Sequence, residues 1–149
     1  MKYTDMMVTF SEVPDEISLC INISNCPFKC EGCHSSYLRE DIGTSFSPDD
    51  LKKMAEQNKG ITCICLMGGD RDPIQLNHYG KAIQTLGLKS AWYSGADKLN
   101  KDIQLEYWDY IKLGHYDQKL GGLDKRTTNQ RLYRIKDKQL TNITYKFWK

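Results

Sequence analysis

The chain has 149 residues, 40% hydrophobic and 27% charged, with a net charge of +2. That length suits a single domain over residues 1–149, able to bury roughly 68–70% of its unfolded surface and so to fold without disulfide staples. The longest apolar stretches are a few residues, far short of the ~20 of a membrane helix, and Asp5, Glu12 and Asp15 stand where a secretory signal would carry its apolar segment. The expectation is a cytoplasmic chain with no membrane partner, whose six cysteines are reduced thiols or metal ligands. Charge is uneven: the stretch from Lys112 to Lys149 carries a net +7 and the preceding part −5. A basic terminal segment suits an acidic partner or nucleic acid, or is simply a pair of strands with lysines in solvent.

Ile17, Leu19, Ile21 and Ile23 alternate with Ser18, Cys20 and Asn22, the period of a half-buried strand. Ser47-Pro48-Asp49-Asp50 reads as a helix start with Ser47 as N-cap, and the helix runs to about Asn58 and stops near Gly60. Ile61 to Met67 is a short apolar run, a buried strand, ended by Gly68-Gly69-Asp70. Asp72-Pro73 opens a second helix that Gly87 closes. Leu88 to Tyr93 is a third strand ended by Ser94-Gly95, a short polar helical piece follows, and Trp108 to Leu113 is a fourth strand. Beyond the Gly121-Gly122 loop, Arg131 to Ile135 and Ile143 to Trp148 both alternate and are expected to pair around Lys136-Asp137-Lys138.

Strand, loop and helix in repetition mean an α/β fold with a parallel sheet, in which ligands bind beyond the carboxyl ends of the strands. The topology therefore gathers three distant segments on one edge. They are the loop after the first strand, Gly-Gly-Asp after the second and Tyr-Ser-Gly after the third.

The first of these loops is the strongest chemical signal. Asn25-Cys26-Pro27-Phe28-Lys29-Cys30-Glu31-Gly32-Cys33-His34 spaces its thiols as C-x3-C-x2-C. A closed structural metal site takes four protein ligands, so three thiolates leave one coordination position for something else. A zinc site completed by His34 fits poorly, because His34 adjoins Cys33. Cys63 and Cys65, two apart on a strand, face one side and could be extra ligands or a redox pair; core packing is the favoured reading for them and for Cys20. His78 and His115 have no visible metal partner. Thr128-Asn129-Gln130-Arg131 groups two amides and a guanidinium that could hold a carboxylate or ribose, or simply turn the chain into the next strand.

With these motifs the chain resembles the radical S-adenosylmethionine (SAM) superfamily, whose signature is the three-cysteine loop followed by a Gly-Gly-acid turn. The order Cys-Pro-x-x-Cys-x-Gly-Cys, Met-Gly-Gly-Asp, Tyr-Ser-Gly and Thr-Asn-Gln-Arg, over roughly Ile17 to Ile135, is similar to that of the activating proteins of anaerobic ribonucleoside-triphosphate reductase. Three places differ: Glu12-Val13-Pro14-Asp15-Glu16 stands where many activases carry Asp-Gly-Pro-Gly, His34 follows the last cysteine where an aromatic is frequent, and Arg71-Asp72 separates the Gly-Gly-acid turn from Pro73. The resemblance implies a short, partial open (β/α) barrel and a 4Fe-4S cluster held by Cys26, Cys30 and Cys33. Its fourth iron chelates SAM, and reductive cleavage yields a 5′-deoxyadenosyl radical that takes hydrogen from a glycine of the partner. Gly32, Cys33 and His34 are implied to lie along SAM, Gly68, Gly69 and Asp70 to meet its amino group, and Ser94 and Asn129 to complete the site. The implied partners are the reductase large subunit and a low-potential electron donor such as flavodoxin or ferredoxin, with nucleic acid not among them. Two other readings stand beside this one: a radical SAM enzyme acting on another glycyl-radical enzyme or a small molecule, and a non-catalytic metal-binding module.

Overall fold

The computed structural model describes residues 1–28, 30 and 36–148. Its strands are β1 (Lys2–Thr9), β2 (Ser18–Ile23), β3 (Thr44–Ser45), β4 (Cys63–Met67), β5 (Lys89–Tyr93), β6 (Tyr110–Leu113), β7 (Arg131–Lys136) and β8 (Gln139–Asn142), and its helices are α1 (Asp50–Gln57) and α2 (Pro73–Thr85). All eight strands form one mixed sheet in the order β3-β1-β2-β4-β5-β6-β7-β8, which does not close into a barrel. The middle is parallel, β2 to β4 to β5 to β6. Antiparallel arms flank it, β1 and β3 on one side and β7 and β8 on the other. No helix among the described residues is long and apolar enough to cross a membrane.

The apolar runs are explained by burial on both faces, as parallel strands require. On β4, Ile64 and Leu66 join Leu51 of α1 and Leu76, Tyr79 and Ile83 of α2 in one core. Cys63 and Cys65 point to the other face with Cys20, Ala91, Tyr93, Tyr110 and Leu132, covered by Val13 and Ile143. All three inner thiols are therefore core groups, as their alternation implies. The segment before β2 is bolted over this second face: the Tyr93 hydroxyl donates to Glu12 O, and the Tyr110 hydroxyl donates to Glu16 Oε2 at 3.1 Å.

The elements differ from the expectation in four places. β1 and β3 carry no clean alternation: β1 is only partly buried, with Met7 62% and Val8 41% exposed, and it is held by pairing with β2 together with Tyr3 and Met6 packed against the core. α1 begins at Asp50 and Ser47 does not cap it; instead Asp50 Oδ2 accepts from Ser47 N and Ser47 Oγ at 2.7 and 3.2 Å. Between β5 and β6 the expected helical piece is a single 3-10 turn, Leu105–Tyr107. The last hairpin does turn at Asp137 and Lys138, both left-handed with φ of +51° and +62°. A two-residue turn of that hand sends the chain straight back, so the partner strand is Gln139–Asn142. Ile143 to Trp148 is not a strand: Asn142 Oδ1 accepts from Thr144 N at 3.0 Å and starts a 3-10 turn, Thr144–Phe147. By contrast α2 is capped as expected, Asp72 Oδ1 accepting from Gln75 N at 3.1 Å with Pro73 in the first turn.

Candidate functional site

The carboxyl ends of β2, β4, β5 and β6 share one edge of the sheet, and the loops that leave them carry the chemistry. After β2 the chain enters the cysteine loop through Asn25, left-handed at φ +62°. Its neck is closed by backbone bonds from Asn25 N to Glu40 O at 2.9 Å and from Cys26 N to Leu38 O at 2.8 Å. The returning 3-10 turn, Ser36–Arg39, ties the loop down twice more. Arg39 NH2 donates to Cys30 O at 2.8 Å, and the Tyr37 hydroxyl donates to Asp5 Oδ1 at 3.3 Å. Asp5 also accepts from Asn22 Nδ2 at 2.8 Å; its carboxyl is held below the usual range by hydrogen bonds, that of Thr4 foremost. Cys26 and Cys30 are both partly exposed. Gly32, Cys33 and His34 lie outside the described residues.

The Gly68-Gly69-Asp70 turn is anchored to its neighbours. Gly68 has φ +116°, and a Cβ there would stand 2.9 Å from Ile23 O, so only glycine fits without strain. Gly68 O accepts from Trp92 Nε1 at 2.8 Å, and Gly68 N donates to Tyr93 O at 3.1 Å. Ser94 Oγ donates to Asp70 Oδ1, which joins two of the sequence-predicted residues directly. Burial pushes the Asp70 carboxyl up, against the pull of Ser94 and of Lys112. Next to Ser94, Gly95 lets the cysteine loop sit down on β5: a Cβ there would meet Phe28 Cδ2 at 2.6 Å. Arg71, one of the residues where the chain departs from the activase pattern, donates from Nε to Asn25 O at 2.7 Å. It thereby ties the Gly-Gly-Asp turn to the start of the cysteine loop.

Asn129 sits against Gly114, where a Cβ would stand 3.3 Å from the Asn129 carbonyl oxygen, and Gly114 O shares Lys112 Nζ with Ser94 O. Asn129 lines a cavity of about 300 Å3 with Asp97, His115 and Arg131 and donates from Nδ2 to His115 O at 3.1 Å. His115 Nδ1 is 2.7 Å from Asp97 Oδ1. Arg131 NH1 donates to Thr128 O and Gln130 O at 2.6 and 2.7 Å, so this part of the amide–guanidinium group braces its own turn.

Lys112 is the site residue that sequence reasoning missed. Counted there as part of the basic terminal segment, it is only 8% exposed. Its Nζ donates to Ser94 O and Gly114 O, both at 2.9 Å. Burial lowers its ammonium to about 8, opposed by the negative charges of Asp70 first and Cys30 next. The signal was present, because a lysine inside a strand of a parallel sheet has no solvent face to occupy.

The donor set suits an iron–sulfur group. Soft thiolates select iron–sulfur clusters and zinc, and the loop that bears Cys26 and Cys30 is seated against the turn after β5 through the Gly95–Phe28 contact. No three His, Cys, Asp or Glu side chains among the described residues form a metal-sized group; of the three loop cysteines, two lie within them. Comparison with protein-family models, curated proteins and solved structures finds no match to the chain.

Proposed function

We propose that the chain is a radical SAM activating enzyme with a partial, open (β/α) barrel, and that it generates a glycyl radical on anaerobic ribonucleoside-triphosphate reductase. The observation that carries this reading is the convergence of the cysteine loop, the Gly-Gly-Asp turn and Ser94 at the carboxyl ends of adjacent parallel strands. Cys26, Cys30 and Cys33 would hold a 4Fe-4S cluster, which supplies the electron for reductive cleavage of the SAM sulfonium. The chain's own work is binding and orientation. The Gly68–Gly69 turn keeps backbone close to the ligand, Asp70 presents a carboxylate to its amino group, and Ser94 fixes that carboxylate. Gly32, Cys33 and His34 would run along the same ligand, and Asn129, beside His115, would complete the site. The unclosed sheet leaves a side through which a protein glycine can approach.

Anaerobic reconstitution with iron and sulfide, followed by SAM and dithionite, tests the reading. Four irons per chain and release of 5′-deoxyadenosine are expected; one zinc and no nucleoside product would establish a metal-binding module instead. With the reductase large subunit added, the glycyl-radical doublet should appear in the electron paramagnetic resonance spectrum. Cofactor cleavage without that doublet would move the substrate to another glycyl-radical enzyme or a small molecule.

A further inference from the structure

The sheet ends in two outer strands that are finished differently. β8 is four residues long, follows Lys136 and Lys138 in the sequence, and carries a single large apolar side chain, Leu140. A short edge with charge beside it resists further pairing. On the other side, β3 covers only Lys2 and Tyr3 of β1. Beyond the irregularity between Tyr3 and Asp5, the ladder to β2 runs unbroken from Asp5 to Thr9. Among the described residues, no backbone group pairs with the outer edge of that stretch. It holds no lysine and no proline, the residues that most often blunt an edge. Its one charge, Asp5, is engaged within its own chain, accepting from Thr4, Asn22 and Tyr37. Yet Met7 is 62% and Val8 41% exposed, and Phe10, just past the strand, is 75% exposed. A long, apolar, unpaired edge is a template for another strand.

We propose that β1 pairs antiparallel with β1 of a second copy of this chain, about a two-fold axis through Met7, and so joins two sheets into one. A two-fold contact must be complementary to itself, and the free stretch is. With Met7 opposite its own counterpart, Met6 stands opposite Val8 and Asp5 opposite Thr9, in both directions, so no like charges meet. Met7 is the midpoint of the regular ladder from Asp5 to Thr9, so this register uses all of it and stops short of β3. The two faces also continue across the axis. Met6 and Val8 are the register partners of Ile21 and Leu19, which belong to the helix-side core. Met7 is the partner of Cys20, which belongs to the other core. Each apolar row therefore runs on into its copy instead of ending in solvent. A partner of unrelated sequence would have to supply this pattern, whereas a second copy carries it already. Thr9 lies opposite Ser18, at the amino end of β2, and the cysteine loop starts beyond its carboxyl end. The pairing thus sits away from Asn25, where that loop begins, and does not depend on what the loop binds.

Sedimentation equilibrium of the full chain tests this, with the protein kept anaerobic under a thiol reductant so that no disulfide links two copies. Wild type should show the mass of two chains, falling toward one on dilution. Met7→Lys sets two ammonium groups face to face across the axis and should sediment as one chain. The position is 62% exposed, and circular dichroism checks that the fold is kept. Met7→Glu should behave alike, and an equal mixture of the two variants should regain the mass of two, because opposite charges then meet. Leu140→Lys, on the β8 edge, should leave the wild-type mass unchanged. A wild type that stays a single chain at every concentration would overturn the inference. So would a dimer that Met7→Lys leaves intact, since its interface would lie elsewhere, or a mass that grows without limit, since a two-fold contact closes. A mixture of the charged variants that remains single chains would overturn the register about Met7. If Met7→Lys does not fold, Met7→Glu decides alone.

Discussion

Cys26 and Cys30 are partly exposed on the loop after β2, whereas Cys63 and Cys65 are fully buried in the sheet's inner core. A thiol must ionise to bind metal, and burial pushes Cys63 up to about 12 and raises Cys65 as well, with Cys20 hydrogen-bonded to it. The two sets should therefore separate cleanly. Cys26→Ala, Cys30→Ala or Cys33→Ala should lose iron after reconstitution, and Cys63→Ala should keep it. Iron loss in Cys63→Ala with an unchanged circular dichroism spectrum would make Cys63 a ligand. The same burial has a consequence at alkaline pH. Because the folded thiol of Cys63 titrates above its ordinary value of 9.0, the unfolded chain gives up that proton first. Its contribution to stability is whole below pH 9.0 and is lost as pH rises toward 12. The stability advantage of wild type over Cys63→Ala should therefore narrow across that window in denaturant titrations. Tyr79, raised to about 12 by burial, is common to both proteins and cancels.

Among the elements, the turn after β5 tests whether the cysteine loop is seated where the chemistry needs it. Gly95→Ala places a methyl 2.6 Å from Phe28 Cδ2, so the Phe28 ring must shift on the loop that carries Cys26 and Cys30. The fold should lose about 1–3 kcal/mol at most, while iron loading or the SAM-induced change in the cluster's paramagnetic spectrum falls. Gly122→Ala, whose added carbon meets only Asp124 Oδ1 at 3.5 Å, should change neither. Unchanged loading in Gly95→Ala would mean that the Phe28 contact does not set the loop. The parallel strands and α2 were readable in advance because burial on both faces leaves apolar runs, and Asp72-Pro73 is a local start signal. β1 was not, since Lys2 to Thr9 owes its conformation to a neighbour that comes later in the chain. Ile143 to Trp148 misled for the opposite reason. Ile143, Tyr145 and Phe147 alternate with polar residues in the sequence, but Ile143 and Thr144 are both buried and Tyr145 is 60% exposed, because a 3-10 turn does not keep the period of two.

For the molecule as a whole, the candidate site was legible where distinctive residue types stand in consecutive positions, as in the cysteine loop and Gly68-Gly69-Asp70. It was not readable where the fold brings a single residue in from another strand, as with Lys112. That lysine also leaves the basic surface, which now rests on exposed Lys125, Arg134, Lys136 and Lys138; of these, Lys125 pairs with Asp124 at 3.8 Å and Lys138 with Glu106 at 3.3 Å. If this face meets an acidic patch on the reductase, long-range charge should govern the encounter rate and be screened over about 8 Å at physiological ionic strength. Glycyl-radical formation should then slow as salt rises, with SAM cleavage in the absence of reductase hardly affected. Reversing those four charges should slow activation in the same way. Normal activation by the reversed variant at low salt would leave the basic face a solvated surface.

The neck of the cysteine loop bears on how such a protein survives air. Asn25 and Cys26 bond back to Glu40 and Leu38, so the segment between them leaves and rejoins the sheet at one point, while the two cores are built from other residues. If the loop binds a cluster as proposed, its loss to oxygen would strike outside both cores. The chain should then keep its far-UV circular dichroism spectrum in air and take up iron and sulfide again under reductant, so that one polypeptide outlives many cofactors.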